Sequence, residues 1–313
     1  MKKKFYYWAS DINENSGEGI LGNNFLFLLK KKYPSFKMIN LNRYETKHTF
    51  FYNYITPFLS LPYLHFYNLK GYKTSYINYL PIWNFLLILL MPQKTLLGPI
   101  TGSDLKKNFL YIFFKFLGIA VLKKKYKYLL FSHEQFKKFF KYNKNIKYNF
   151  LLFNFNNKIS LLKKYDFIFY LRKHNNKGNF FLIQLIDYFS KYFTIAIIGD
   201  YLDNFKNKKN IFFFGNISRS KARKIISRSK FAVGTRENLF SFFVLDCLSC
   251  YLDVFYNKNL KINKSIKTNL LHSINFDDSK KAISKIRYIL SKKRKKYFYL
   301  KKENFLNYLD KFI

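Results

Sequence analysis

Asp166-Phe167-Ile168-Phe169-Tyr170-Leu171-Arg172-Lys173-His174-Asn175-Asn176-Lys177-Gly178 opens with an apolar run of strand length and closes as a polar loop. An apolar helical pattern follows over 179–192. The run is apolar on both faces of the two-residue strand period, as in a parallel sheet covered by helices on both sides. The rhythm continues downstream, with strands expected at 194–198, 211–214, 230–233 and 252–256 and helices at 219–229 and 242–250. Upstream, strands are expected at 4–9, 36–41, 95–97, 128–131 and 150–155, and helices at 20–31, 103–122 and 133–142. Alternating strands and helices define an α/β protein with parallel sheets. Two closing helices are expected at 277–294 and 296–313. In the second, Phe305, Tyr308, Leu309 and Phe312 share one face.

The chain has 313 residues, enough for two domains. The polar stretch 156–164 lies near mid-chain, so the expected domains are 1–160 and 161–313. Phe and Tyr number 39 and 27, which excludes extensive disorder. The 2 cysteines exclude a disulfide scaffold. Lys and Arg total 57 against 17 Asp and Glu, a net charge of +40. Such charge suits nucleic acid or an anionic membrane surface. Drift in an AT-rich genome accounts for the same excess, because Lys, Asn, Phe, Tyr and Ile all have AT-rich codons. The charge runs from end to end and no nucleic-acid recognition motif accompanies it, so no nucleic-acid partner is expected.

Lys2-Lys3-Lys4 before Phe5-Tyr6-Tyr7-Trp8-Ala9 imitates a signal peptide. The apolar run stops at Asp11, short of the roughly 7–15 residues of an h-region. The longest apolar run, 109–122, is interrupted by Lys115 and is shorter than the about 20 residues of a membrane span. It reads as a buried core helix or as a helix lying on a membrane surface, with Lys123-Lys124-Lys125 behind it. The expected location is cytoplasmic, or peripheral on the inner membrane face.

No Walker A loop, HExxH pair or Asp-x-Asp is present, so no metal site is expected. Cys247 and Cys250 form a C-x-x-C late in an apolar helix and read as two buried thiols. Four loops carry the chemistry. Ser16-Gly17-Glu18-Gly19-Ile20-Leu21-Gly22 follows the first strand and opens a helix, where glycines permit close approach and the helix end attracts anions. Leu97-Gly98-Pro99-Ile100-Thr101-Gly102-Ser103-Asp104 is expected as a second strand-to-helix loop. Arg172 and Lys177 place two cations after a strand, suited to a diphosphate. Thr235-Arg236-Glu237-Asn238-Leu239-Phe240-Ser241 precedes a helix carrying Asp246. An acid on that apolar face needs a partner, either sugar or ribose hydroxyls or a lysine.

These residues resemble GT-B-fold glycosyltransferases of the broad retaining group called glycosyltransferases group 1, or family 4. Arg172 and Lys177 have that family's spacing, with Leu171 where it usually has glycine. Ile197-Ile198-Gly199-Asp200 and Phe213-Phe214-Gly215 match its next two strand ends. Glu237 and Asp246 match its pair of glutamates, one residue further apart and with the second acid shortened. Ser241 stands where the family usually has glycine, and Tyr251 where a small residue often precedes the last strand. The resemblance covers roughly 1–260 and includes both first-domain glycine loops.

The resemblance implies two Rossmann-like domains facing across a cleft, with the last helix, 296–313, returning to the first. It implies a nucleotide-diphosphate sugar as co-substrate, no further cofactor, and a glycan or lipid-linked acceptor on the first domain. Arg172 and Lys177 would neutralise the departing diphosphate without a metal ion, and Glu237 would contact the transferred sugar. Donor contacts would come from Gly17, Gly19, Gly98, Thr101, Gly102, Gly199, Gly215, Asn238 and Ser241, and Asp246 would hold the ribose. A rival class is a basic nucleic-acid-binding protein, and a third is a transferase-like protein without activity.

Overall fold

The computed structural model describes residues 4–9, 11–12, 16–33, 36–40, 56–102, 108–132, 134–141, 143, 145–148, 150–153, 162–172, 179–200, 205, 208–236, 239, 241–262, 264–292, 295–300 and 305–312. The chain divides into two units, Met1–Phe153 with Glu303–Ile313, and Asn154–Lys302. The division falls a few residues before the expected one, and the closing segment belongs with the first unit.

In the first unit, β1 (Phe5–Ala9), β2 (Lys37–Asn40), β3 (Lys73–Pro81), β4 (Thr95–Thr101), β5 (Leu129–Phe131) and β6 (Ile146–Lys147) form one sheet in the order β2-β1-β3-β4-β5-β6. All its pairings are parallel. Successive β1 side chains enter opposite cores. Tyr6 and Trp8 pack with α2 (Ser60–Leu69), α3 (Phe85–Leu90) and α4 (Phe109–Lys125). Phe5, Tyr7 and Ala9 pack with α1 (Gly17–Lys32) and α9 (Phe305–Phe312).

The second sheet contains β7 (Tyr165–Leu171), β8 (Ile195–Gly199), β9 (Ile211–Phe213), β10 (Ser229–Val233), β11 (Asp253–Asn257) and β13 (Leu271–Ile274), ordered β13-β11-β10-β7-β8-β9. Every pairing is again parallel. In β7, Phe167, Phe169 and Leu171 pack against α5 (Asn179–Phe189) and α8 (Ser279–Leu290). Among the described residues, the remaining helices of this unit are α6 (Arg219–Ser227) and α7 (Phe242–Ser249).

Several expectations are corrected. Gly98, Pro99, Ile100 and Thr101 are not a loop but the second half of β4. Gly98 has φ +129°, and a Cβ there would lie 2.3 Å from the Leu130 carbonyl oxygen, so glycine lets β4 pass β5 through a register shift. The expected closing helix does not start near 296. β14 (Phe298–Leu300) pairs antiparallel with β12 (Ile266–Thr268), and α9 starts at Phe305. Residues 103–107, at the start of the expected helix 103–122, lie outside the described residues, and α4 begins at Phe109. The expected strand 150–155 is not formed over 150–153, and 133–142 contains a short 3-10 helix, Glu134–Phe139.

The α9 face seals the first unit. Phe305 meets Phe150 at 4.8 Å between ring centroids, and Phe312 meets Phe5 edge-on at 6.4 Å. The Tyr308 hydroxyl donates to the Asn145 carbonyl oxygen at 2.8 Å, and the Tyr33 hydroxyl to Asp310 at 2.5 Å. Leu309 is wholly buried. Leu309→Ala should therefore destabilise the protein by about 2–5 kcal/mol, read as a lowered urea midpoint. An unchanged midpoint would mean that α9 merely rests on the surface.

Candidate functional site

In an open parallel sheet, ligands bind outside the carboxyl ends of the strands, where the strand order reverses. In the second unit that point lies between β7 and β10, which lead out in opposite directions. β7 ends at Leu171, and the exposed Arg172 follows. The adjoining loops are tied to it through the backbone. The Asp200 N–H donates to the Leu171 carbonyl oxygen at 3.0 Å, and the Gly199 N–H to the Gly215 carbonyl oxygen at 2.9 Å. The Asn216 amide donates to the Asp200 carboxylate at 3.1 Å.

Glycine is required at two of these turns. Gly199 has φ +107°, and a Cβ there would sit 2.0 Å from the Leu171 carbonyl oxygen. Gly215 has φ +65° with open space around it. Tyr170 stacks on Phe243 in the first turn of α7, with ring centroids 5.6 Å apart. Burial pushes the Tyr170 hydroxyl up; Arg172 pulls it back and Asp200 opposes that pull, so all three share one electrostatic environment. Ser241 caps α7, its hydroxyl accepting from the Val244 N–H at 3.3 Å. The structure thus brings Arg172, Gly199, Gly215 and Ser241 to one edge. Tyr170, Asp200 and Asn216 join them; Tyr170 and Asp200 stood in quoted motifs without a role, and Asn216 was not singled out. Lys177, Glu237 and Asn238 lie outside the described residues.

Asp246 requires a correction. It is 2% exposed. Its two oxygens accept from Arg219 Nε and Nη2 at 2.9 and 3.0 Å, and Arg223 lies 3.3 Å away. Burial pushes this carboxyl up, while the two arginines pull it down. Its partners are guanidinium groups on α6 rather than a ribose or a lysine. The pairing satisfies an acid that the apolar α7 would otherwise strand. Cys247 and Cys250 are buried and free, and burial pushes the Cys247 thiol well up.

The first unit reverses its strand order between β1 and β3, and a pocket of about 250 Å³ opens there. Glu18, Asn78, Tyr79, Trp83, Asn84 and Thr101 are among its walls. Burial pushes the Tyr79 hydroxyl up to about 12, and the nearby Glu18 adds to the shift. Of the expected first-unit residues, Thr101 reaches this pocket. Gly17 opens α1, and the Gly19 N–H donates to the Ser16 cap at 2.9 Å. Gly98 and Gly102 answer to packing: a Cβ on Gly102 would meet Phe136 at 2.8 Å and Ile82 at 2.9 Å. Glu18 and Trp83 were missed as site residues. Glu18 lay inside the quoted glycine loop, and Trp83 is one of only 2 tryptophans. Among the described residues no cluster of three or more His, Cys, Asp or Glu could hold a metal ion.

No family model matches the chain, and no curated protein matches its sequence. Its fold is nevertheless shared. UDP-GlcNAc 2-epimerase from Methanocaldococcus jannaschii, solved with UDP-GlcNAc and UDP, is similar over 99% of both chains, with a TM-score of 0.58 and 11% identity. HepE from Anabaena, solved with UDP and glucose, is similar over 92% of this chain and 90% of its own, with a TM-score of 0.58 and 10% identity. The lipopolysaccharide outer core galactosyltransferase WaaB, in its apo form, is similar over 93% and 92%, with a TM-score of 0.54 and 14% identity. The chain has the GT-B fold, built on two six-stranded parallel sheets.

Removing the acid from a buried ion pair leaves uncompensated cations. Asp246→Ala should cost about 3–5 kcal/mol of stability in chemical denaturation. Native stability in that variant would contradict the structural role given to Asp246.

Proposed function

We propose that the chain is a glycosyltransferase that moves a sugar from a nucleotide-diphosphate donor to a glycan or lipid-linked acceptor. The observation that carries this reading is Arg172 at the switch point of the second sheet, beside the glycine turns at Gly199 and Gly215. The fold shared with proteins solved with UDP or a UDP-sugar supports it. In this reading the second unit holds the donor. Departure of the sugar leaves negative charge on the diphosphate, and Arg172 meets that charge with a planar fork of donors. Lys177, placed by its motif spacing, adds a second cation, so the diphosphate is neutralised without a metal ion. Glu237, placed the same way, contacts the transferred sugar. The N-terminus of α7 points its partial positive charge at the same edge.

The pocket of the first unit takes the acceptor. Trp83 lines it with an aromatic ring and Glu18 with a carboxylate, a combination suited to carbohydrate. Retention of anomeric configuration and a role in cell-surface polysaccharide or lipopolysaccharide synthesis complete the proposal, on the resemblance described above.

A thermal-shift series with UDP-, GDP-, ADP- and CMP-sugars tests donor binding without knowledge of the acceptor. One nucleotide class should raise Tm saturably. Arg172→Ala should abolish the shift while leaving the unliganded Tm unchanged, because the side chain is exposed. Its turnover should fall by about 10²–10³. Because an epimerase shares the fold, the sugar must be followed as well. Transfer releases the nucleoside diphosphate and glycosylates an acceptor, whereas epimerisation leaves sugar and nucleotide joined. No response to any nucleotide sugar, with steeply salt-dependent binding to single-stranded nucleic acid, would replace this reading with the rival.

A further inference from the structure

A helix on a soluble surface normally turns its charged side outward. Here α4 does the reverse. Its inner face is closed by Gly118, Ile119 and Leu122, and glycine at 118 lets the helix touch the Ile82 carbonyl oxygen, which a Cβ would approach to 2.1 Å. The outward stripe carries Phe109, Phe113 and Phe116, which are 78%, 48% and 56% exposed. The same stripe runs on into exposed Lys123 and Lys124.

α3 lies alongside and shows the same inversion. Leu86, Leu89 and Leu90 are 51%, 45% and 47% exposed. Side-chain contacts fix the two helices together. Phe85 stacks on Phe114 at 5.3 Å, the Tyr126 hydroxyl donates to the Ile88 and Met91 carbonyl oxygens at 2.6 and 2.9 Å, and Lys125 donates to the Leu89 carbonyl oxygen. Neither helix contains an acidic residue. α4 is half core, and the half left outside is apolar.

We propose that the α3–α4 face of the first unit docks on an anionic lipid bilayer. The aromatic and leucine side chains enter the boundary of the acyl region, and Lys123 and Lys124 meet headgroup phosphates. No helix among the described residues is long and apolar enough to cross a membrane, so the helices lie in the interface. A second copy of the chain fits this face poorly, because self-association brings lysine clusters of two molecules of net charge +40 together. The proposal deepens the reading of a lipid-linked acceptor, and its test reads binding rather than turnover, so either can fail alone.

The test is vesicle flotation of the full chain with phosphatidylcholine alone and with phosphatidylglycerol added. A chain this basic adheres weakly to any anionic surface, so the comparison is between sites. Phe113→Ser/Phe116→Ser should lower affinity for mixed vesicles at least about tenfold. Lys123→Gln/Lys124→Gln should lower it by about fivefold per lysine. Lys280→Gln/Lys281→Gln on α8 of the second unit should change it little. Phe113→Trp provides an independent readout, with emission that shifts to the blue on vesicles and is quenched by brominated acyl chains. Equal affinity of the phenylalanine-to-serine variant and the wild type, or equal losses from the two lysine pairs, would overturn the proposal. Emission from the Phe113→Trp variant that stays solvent-exposed on bound vesicles would overturn it too. So would lipid-free dimerisation of the wild type that the phenylalanine-to-serine variant abolishes.

Discussion

Strand β1 sends Tyr6 and Trp8 into one core and Phe5, Tyr7 and Ala9 into another, and a parallel sheet persists only when both faces are filled in this way. Aromatic residues supply more than a third of the buried side chains in each core of the two units. The requirement has a topological consequence. Parallel strands joined by helices bring all their carboxyl ends to one edge, and reversal of the strand order opens a gap there. The edge positions of Arg172, Gly199 and Gly215 follow from that arrangement. So does the pocket containing Glu18 and Trp83. On the first unit's second face the cover is incomplete without α9, so the end of the chain completes a core that the beginning starts.

The charged groups divide by burial. Asp246 is enclosed with two arginines, and its ion pair offsets the cost of placing a carboxylate inside α7. Arg172 is exposed, where water and salt weaken its field. A ligand that displaces water raises the effective strength of the same charge several-fold. Burial therefore suits Asp246 to structure, and exposure at the sheet edge leaves Arg172 available to an anion.

The second unit is the more legible in sequence. Its strands are short, apolar and separated by helical patterns, so five of them can be placed to within a residue or two. The first unit hides β3, because Thr74, Ser75 and Asn78 occupy buried strand positions. Their polarity is met by partners that sequence does not reveal, such as the 2.7 Å bond between the Thr74 and Thr95 hydroxyls. Gly98-Pro99 carries the composition of a turn and forms an irregular strand. α3 is a single short turn pattern, too brief for periodicity to separate it from a strand. The partners of Asp246 lie on a different helix, 27 residues upstream in the case of Arg219, so only tertiary structure could name them. The α9 face is readable because Phe305, Tyr308, Leu309 and Phe312 keep helical spacing. Tyr297-Phe298-Tyr299-Leu300 continues the aromatic character without the period, and its last three residues pair as a strand.

The decisive measurement is hydrogen–deuterium exchange of the wild-type chain, with and without a nucleotide sugar shown to raise its Tm. Slowed exchange is expected at the amides following β7, β8 and β9, around Arg172, Asp200 and Asn216, and in the first turn of α7. Protection absent from that edge while the nucleotide is demonstrably bound would contradict donor binding there.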